Sequence, residues 1–299
     1  MKLKRILAAV TAAVVVAGSS AVADNTSLLP SLSLTASAET EVYEEGGYSY
    51  TVENGNATIT WYSGSDEKVV IPSTLGGYTV TAIGGSAFLN GYFTSVTIPN
   101  TVESIGNFAF SQCYSLESII IPDSVTSIGE SAFYSCDSMV TAVIGKNVNT
   151  IGRCAFSYCG LLESVNIPKG VTTIEEGTFN SCYNLADVQI ANGVENIGFN
   201  AFAYCESLKS ITIPDSVKSI GESAFVDCQG LAELNLGNGV ESIGINAFGD
   251  CYALKSVTIP ASLTTMGEAA FSWCSSLSDL TISNGAKVIG YSAFLDVNR

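Results

Sequence analysis

Nine cysteines are the residues of this chain best suited to chemistry, and eight of them keep step. Cys113, Cys136, Cys159, Cys182, Cys205, Cys228, Cys251 and Cys274 recur every 23 residues, and Cys154 alone falls outside that register. An even set of thiols in an exported chain suggests disulfides. Thiols that face inward instead pack as small apolar residues. Neighbouring turns of a regular structure would hold their Cα atoms within the disulfide range of ~4.4–6.8 Å. The row therefore reads either as cross-linked pairs or as buried free thiols. Structural zinc fits poorly, because it needs four converging ligands, and this is a linear row in a chain without histidine. The lack of histidine also removes the usual Ser-His and Cys-His nucleophilic pairs. No nucleophile elbow or phosphate loop is present. Adjacent acids such as Glu44-Glu45 and Glu175-Glu176 do not supply two carboxylates facing each other across a cleft, as glycoside hydrolysis requires. The expectation is a chain with no catalytic residue, no cofactor and no metal ligand.

The cysteines belong to a longer phrase that must position them. Each ladder cysteine follows a phenylalanine by three residues, and the phenylalanines are Phe88, Phe110, Phe133, Phe156, Phe179, Phe202, Phe225, Phe248, Phe271 and Phe294. The first step is 22 residues and every later step is 23. A fixed period between 20 and 30 is the signature of a solenoid, with one coil per repeat. The stretch from Leu116 to Cys136 shows how one coil is built. Leu116, Ile119 and Ile121 point inward while Ser118 and Ile120 alternate outward, the period of a strand. Pro122 ends the strand. Val125 and Ile128 form a second inward pair, and Gly129 permits a tight turn. Ala132, Phe133 and Cys136 then close the coil, read here as a short helical or 3₁₀ turn. Stacked at ~4.8 Å per coil, ten coils form a rod about 45–50 Å long. The residue after the strand alternates between proline (Pro122, Pro168, Pro214, Pro260) and another type (Gly145, Ala191, Gly237, Ser283), so the duplicated unit is a 46-residue pair.

The string Ile-Pro-x-Ser-Val-x-x-Ile-Gly-x-x-Ala-Phe-x-x-Cys-x-x-Leu resembles the BspA-type leucine-rich repeats of bacterial surface proteins, over residues 69–296. The segment with Gly64-Ser65 and Gly76-Gly77-Tyr78 is similar to the usual opening of such domains. One departure is clear: where the common leucine-rich repeat carries an Asn ladder, this chain has Ser124, Asn147, Gly170 or Gly193. The resemblance implies a mostly β, right-handed leucine-rich-repeat solenoid. It also implies an extracellular, non-catalytic binding role, acting as an adhesin or protein-interaction module. The ligand is not inherited with the repeat, and a host, matrix or neighbouring-cell protein and a polysaccharide both remain open.

Before the coils, Lys2, Lys4 and Arg5 lead into an apolar run from Ile6 to Gly18. Residues 1–38 read as a signal peptide cleaved after Ala36-Ser37-Ala38, with cleavage after Ala23 the alternative. The mature chain is expected to be secreted, with no membrane insertion. Residues 39–68 read as an N-terminal β-hairpin cap, because two alternating runs flank Asn54-Gly55, a strong hairpin signal. Residues 69–299 form the solenoid. The final coil stops short of its cysteine position, where Val297 stands; an open sheet edge there would invite self-association. A formal charge of -16 disfavours nucleic acid and anionic lipid as partners.

Two surfaces are candidates for binding. The outward strand row contains Thr97, Asn166, Gln189, Thr212, Asn235, Thr258 and Thr281, with Ile120 and Val143 in the same row. Extended faces are where solenoids commonly bind, although Thr also simply suits an exposed strand. The second surface is aromatic. Tyr158, Tyr204 and Trp273 each precede a ladder cysteine, and Tyr114, Tyr183 and Tyr252 each follow one. Such rings can stack on sugars or anchor a protein, or pack locally against the next coil.

Overall fold

The computed structural model describes residues 40–285, 287 and 289–297, together with the backbone of Arg5–Ile6. The rest of the expected signal peptide lies outside the described residues; Arg5–Ile6 pairs antiparallel with Val42–Tyr43.

The coils wind on a three-sided section. One side is a row of longer parallel strands, from Lys68–Val70, Ser95–Thr97 and Ser118–Ile120 through to Asp279–Ile282. The second is a row of two-residue strands such as Ser104–Ile105, Ser127–Ile128 and Thr150–Ile151. The third carries the Phe and Cys positions. Strands pair with their equivalents one repeat away, as in Ser118↔Thr141, Ile119↔Ala142 and Ile120↔Val143. The side chains of Leu116, Ile119, Ile121, Val125, Ile128, Ala132, Phe133 and Cys136 are all buried. The ten phenylalanines form a continuous column, with ring centroids 4.9–5.6 Å apart and planes within 2–13° of parallel. Coil spacing near 4.8 Å imposes that stack.

The third side departs from the expected helical turn, since none of the described residues is helical. Amides alternate in direction instead. Phe110 N–H donates to Ala132 of the next coil, and Phe108 and Gln112 N–H donate to Glu130 and Tyr134. The intervening Ala109, Ser111 and Cys113 N–H groups close local turns onto Gly106, Phe108 and Phe110. Aiming every second amide along the rod requires positive φ two residues before and two after each Phe. Ser131 (φ 51°) and Ser135 (φ 53°) show it, as do Tyr158 (φ 61°), Tyr204 (φ 61°) and Trp273 (φ 60°). A helix would spend those amides within one coil, whereas here every second one ties its coil to the next.

The Ile-Gly pair has a steric cause. A Cβ on Gly129 would lie 2.5 Å from Asn107 N of the preceding coil, and one on Gly198 2.9 Å from Glu176 N. The exception confirms the rule. Glu175 occupies the glycine position of its coil, and the short-strand ladder is interrupted there, between Thr150–Ile151 and Thr173–Ile174.

Three antiparallel strands, Val42–Glu45, Tyr48–Glu53 and Asn56–Tyr62, cover the first coil. The last pairs in parallel with Tyr78–Ile83 and so continues the short-strand sheet. Asn54 (φ 51°) and Gly55 (φ 81°) form the turn between the second and third strands, both left-handed as a two-residue hairpin requires.

Candidate binding face

The longer-strand side presents two outward rows, and the candidate residues stand in the second of them, at the Ile120 position. Thr97, Asn166, Gln189, Thr212, Asn235, Thr258 and Thr281 are all exposed. Direct cross-strand partners in it include Asn166↔Gln189, Thr212↔Asn235 and Thr258↔Thr281. The row divides by polarity. Toward the N-terminal end it runs Val70, Thr97, Ile120 and Val143, and the three apolar members are 68%, 67% and 50% exposed. Among the described residues no other element covers them. Ile120 and Val143 line a hollow of about 840 Å³ that reaches from Ser95 to Gly145. A second hollow of about 830 Å³ is polar, lined by Asp187, Gln189, Asn192, Thr212, Asp215, Asn235 and Asn238 among others. It straddles the break between Asp187–Ile190 and Ser210–Thr212, where the long-strand ladder is interrupted.

The corner bordering this face is held by bonds between coils. Ser124, Ser216 and Ser262 donate through Oγ to the carbonyls of Val102, Val194 and Val240, at 2.6–2.7 Å. Asn147 Nδ2 donates to the Asp123 carbonyl at 2.8 Å. Asp123 also accepts from the Lys146 amide (3.0 Å) and pairs with its ammonium (2.7 Å). Those Lys146 contacts hold the exposed Asp123 carboxyl below its usual range and raise Lys146 in turn. Residues 81–209 and 195–298, which carry these corners, match the family model of the BspA type leucine rich repeat region. The chain belongs to the BspA-type leucine-rich-repeat family.

A leucine rich cell surface protein from Faecalibacterium prausnitzii A2-165 is a solved structural relative of this BspA-type chain. The identity is 32%, with 83% of this chain and 78% of that one covered and a TM-score of 0.66. A T. pallidum leucine rich repeat protein matches at 30% identity over 70% of this chain and 88% of its own, with a TM-score of 0.53. The search of curated proteins found no match. In this BspA-type solenoid the corner serine and asparagine do the bridging that an Asn ladder does in other leucine-rich repeats.

The eight ladder cysteines are buried free thiols and Cys154 is half-buried. Each ladder Sγ donates to the carbonyl of the Phe in the preceding coil, as Cys136 does to Phe110 (3.3 Å) and Cys182 to Phe156 (3.2 Å). Burial pushes Cys113, Cys228 and Cys274 up to about 12. A thiol held protonated and hydrogen-bonded is neither nucleophile nor ligand. Among the described residues no group of three or more His, Cys, Asp or Glu is placed to hold a metal, and no helix is long and apolar enough to cross a membrane.

Tyr158, Tyr204 and Trp273 are exposed and share one register position on the turn side. Their amides donate to the next coil at Asn180, Val226 and Leu295, which holds their backbones in the left-handed region. They lie away from the strand face, so the two candidate surfaces are separate. Sequence reasoning placed Ile120 and Val143 in the outward row but not among its binding candidates. The signal was their outward register inside the apolar runs Ile119-Ile120-Ile121 and Ala142-Val143-Ile144.

Proposed function

We propose that this chain is a secreted, non-catalytic interaction module that binds a protein of a host, matrix or neighbouring cell at the bacterial surface, as an adhesin does. The observation that carries the reading is the exposed sheet face, on which Ile120 and Val143 are direct cross-strand neighbours, with Val70 beyond Thr97, in a row that is otherwise polar. An apolar patch rimmed by small polar side chains is the usual anatomy of a protein contact. The cell-surface description of the F. prausnitzii relative and the basic-then-apolar N-terminus both support export. We place the signal peptide at residues 1–38, the cap at 39–68 and the solenoid at 69–299.

The test is binding of the purified chain to a panel of matrix, host and bacterial surface proteins by biolayer interferometry. A saturable hit should weaken at least tenfold in Ile120→Asp/Val143→Asp, about the loss of one buried apolar anchor. Thr258→Ala/Thr281→Ala should change it little. Loss of binding only in the second variant would relocate the contact, and silence across the panel would refute the reading. The exposed alignment of Tyr158, Tyr204 and Trp273 supports a second reading, a polysaccharide lying along the turn side. A glycan hit abolished by changing those three to Ala would favour it.

A further inference from the structure

A cleft of about 320 Å³ opens where the cap meets the first full coil, between residues 61–66 and 88–93. That volume lies at the lower end of the range for small-ligand pockets, ~300–1,000 Å³. Its inner wall is aromatic. Tyr62 and Phe88 rings are 5.3 Å apart, and Phe88 meets Phe93 edge-on at 6.0 Å. Two glycines make that wall: a Cβ on Gly64 would collide with the Tyr62 ring, and one on Gly91 with the Phe93 ring. Two further aromatics are left in solvent at the mouth, Trp61 (47% exposed) and Tyr92 (87%).

The polar groups are few and carry no positive charge. Tyr62 Oη donates to Asp66 Oδ2 at 2.6 Å, which fixes the carboxylate at the rim. Asn90 is exposed in the left-handed region, its own amide committed to Ser111 of the next coil. Ser63, Ser65, Leu89 and the backbone of Gly64 and Gly91 complete the lining, with the Ser63 hydroxyl donating to the Gly47 carbonyl. Asp66 is the one charged residue of the lining, and no lysine or arginine contributes. A carboxylate or phosphate ligand would meet repulsion there with no compensating cation.

We propose that this cleft is a binding site for a neutral saccharide. A pyranose has an apolar C–H face and a rim of hydroxyls. Trp61 and Tyr92 offer rings for the face, while Asp66 and Asn90 offer a carboxylate and an amide for the hydroxyls. Tyr92 holds the coil position later taken by Tyr114, Tyr183 and Tyr252, so a longer glycan leaving the cleft would run toward Tyr114. The site lies on the turn side and is independent of the protein-binding sheet face.

The chain has two tryptophans, so Trp273→Phe leaves Trp61 as the sole tryptophan, which is excited selectively beyond the tyrosine absorption band. That variant is titrated with glucose, galactose, mannose, N-acetylglucosamine and cellobiose, and with glucuronate and tetramethylammonium as charged counterparts. Calorimetry on the unaltered chain checks each hit. At least one neutral sugar should shift Trp61 emission saturably, with glucuronate about tenfold weaker or more. Asp66→Asn and Tyr92→Ala should each weaken the hit about tenfold, one lost polar or stacking contact. Tyr92 is almost wholly exposed, so its replacement leaves the cap folded even where Asp66→Asn loosens it. No response to any neutral sugar overturns the proposal. So does a response to tetramethylammonium alone, or a sugar response that neither variant alters.

Discussion

The buried thiol ladder should make this solenoid sensitive to alkali, in a way that can be calculated. An ordinary thiol loses its proton near 9.0, whereas Cys113, Cys228 and Cys274 hold theirs to about 12 in the folded chain. These are raised values, so their contribution to stability is fully present below 9.0. It is lost as pH climbs toward 12, because the unfolded chain releases protons that the native chain keeps. At pH 10 each such thiol favours the unfolded state by about 1.4 kcal/mol, and the three together by about 4 kcal/mol. Burial shifts Cys136, Cys182, Cys205 and Cys251 in the same direction, which steepens the fall. Against a typical total of about 5–15 kcal/mol, the loss is large. Buried Tyr48 is pushed up to about 12 from 10.0, so its contribution begins to fade only above pH 10. The assay is urea unfolding followed by far-UV circular dichroism, with a reductant present, at pH 7.5 and pH 10. The unaltered chain should lose at least about 4 kcal/mol between them. Cys113→Ala/Cys228→Ala/Cys274→Ala will start less stable at pH 7.5, but its loss should be smaller by about 4 kcal/mol. Equal losses in the two proteins would refute the reasoning, and so would a stability that does not change with pH.

Two further predictions test the core. Without denaturant, a thiol reagent at neutral pH should modify Cys154 alone and slowly, since burial and Glu176 raise it; mass spectrometry showing rapid loss of several thiols would contradict the burial of the ladder. Phe179→Ala should cost about 4–5 kcal/mol, because it removes a fully buried ring stacked on Phe156 and Phe202. Phe294→Ala should cost about half as much, because Phe294 is only partly buried and its one stacked neighbour is Phe271. Equal costs in urea unfolding would show that coil-to-coil stacking does not govern stability.

Repetition made the core legible and hid much of the surface. Every inward residue proposed between Leu116 and Cys136 is buried, because strand alternation and the recurring Phe and Cys leave little choice of face. The left-handed residues gave no such signal. Ser131, Ser135, Tyr158 and Trp273 are not glycines, and their φ is imposed by hydrogen bonds to a residue one coil away. The strand Val42–Glu45 was missed because it pairs across Gly46-Gly47 outside the repeat. The cleft beside Trp61 was missed because its walls come from the cap and the first coil, 22 or more positions apart.

That division follows from how a solenoid is stabilised. Each inward position must match its neighbours above and below, so a change there is resisted in two coils at once. An outward position meets no such demand, and its residue type is free to differ from coil to coil. Ile120 and Val143 therefore need a cause outside the stack. Their inward neighbours Ile119, Ile121 and Ile144 already fill the core, and the equivalent outward positions Thr212, Asn235 and Thr258 are polar at no cost to the same strand geometry. An apolar pair retained on the solvent side of a sheet that tolerates Thr and Asn is what a partner's contact would require. The same reasoning applies at the cap, where Gly64 and Gly91 leave room for the Tyr62 and Phe93 rings to lie against the backbone and form the wall of the cleft.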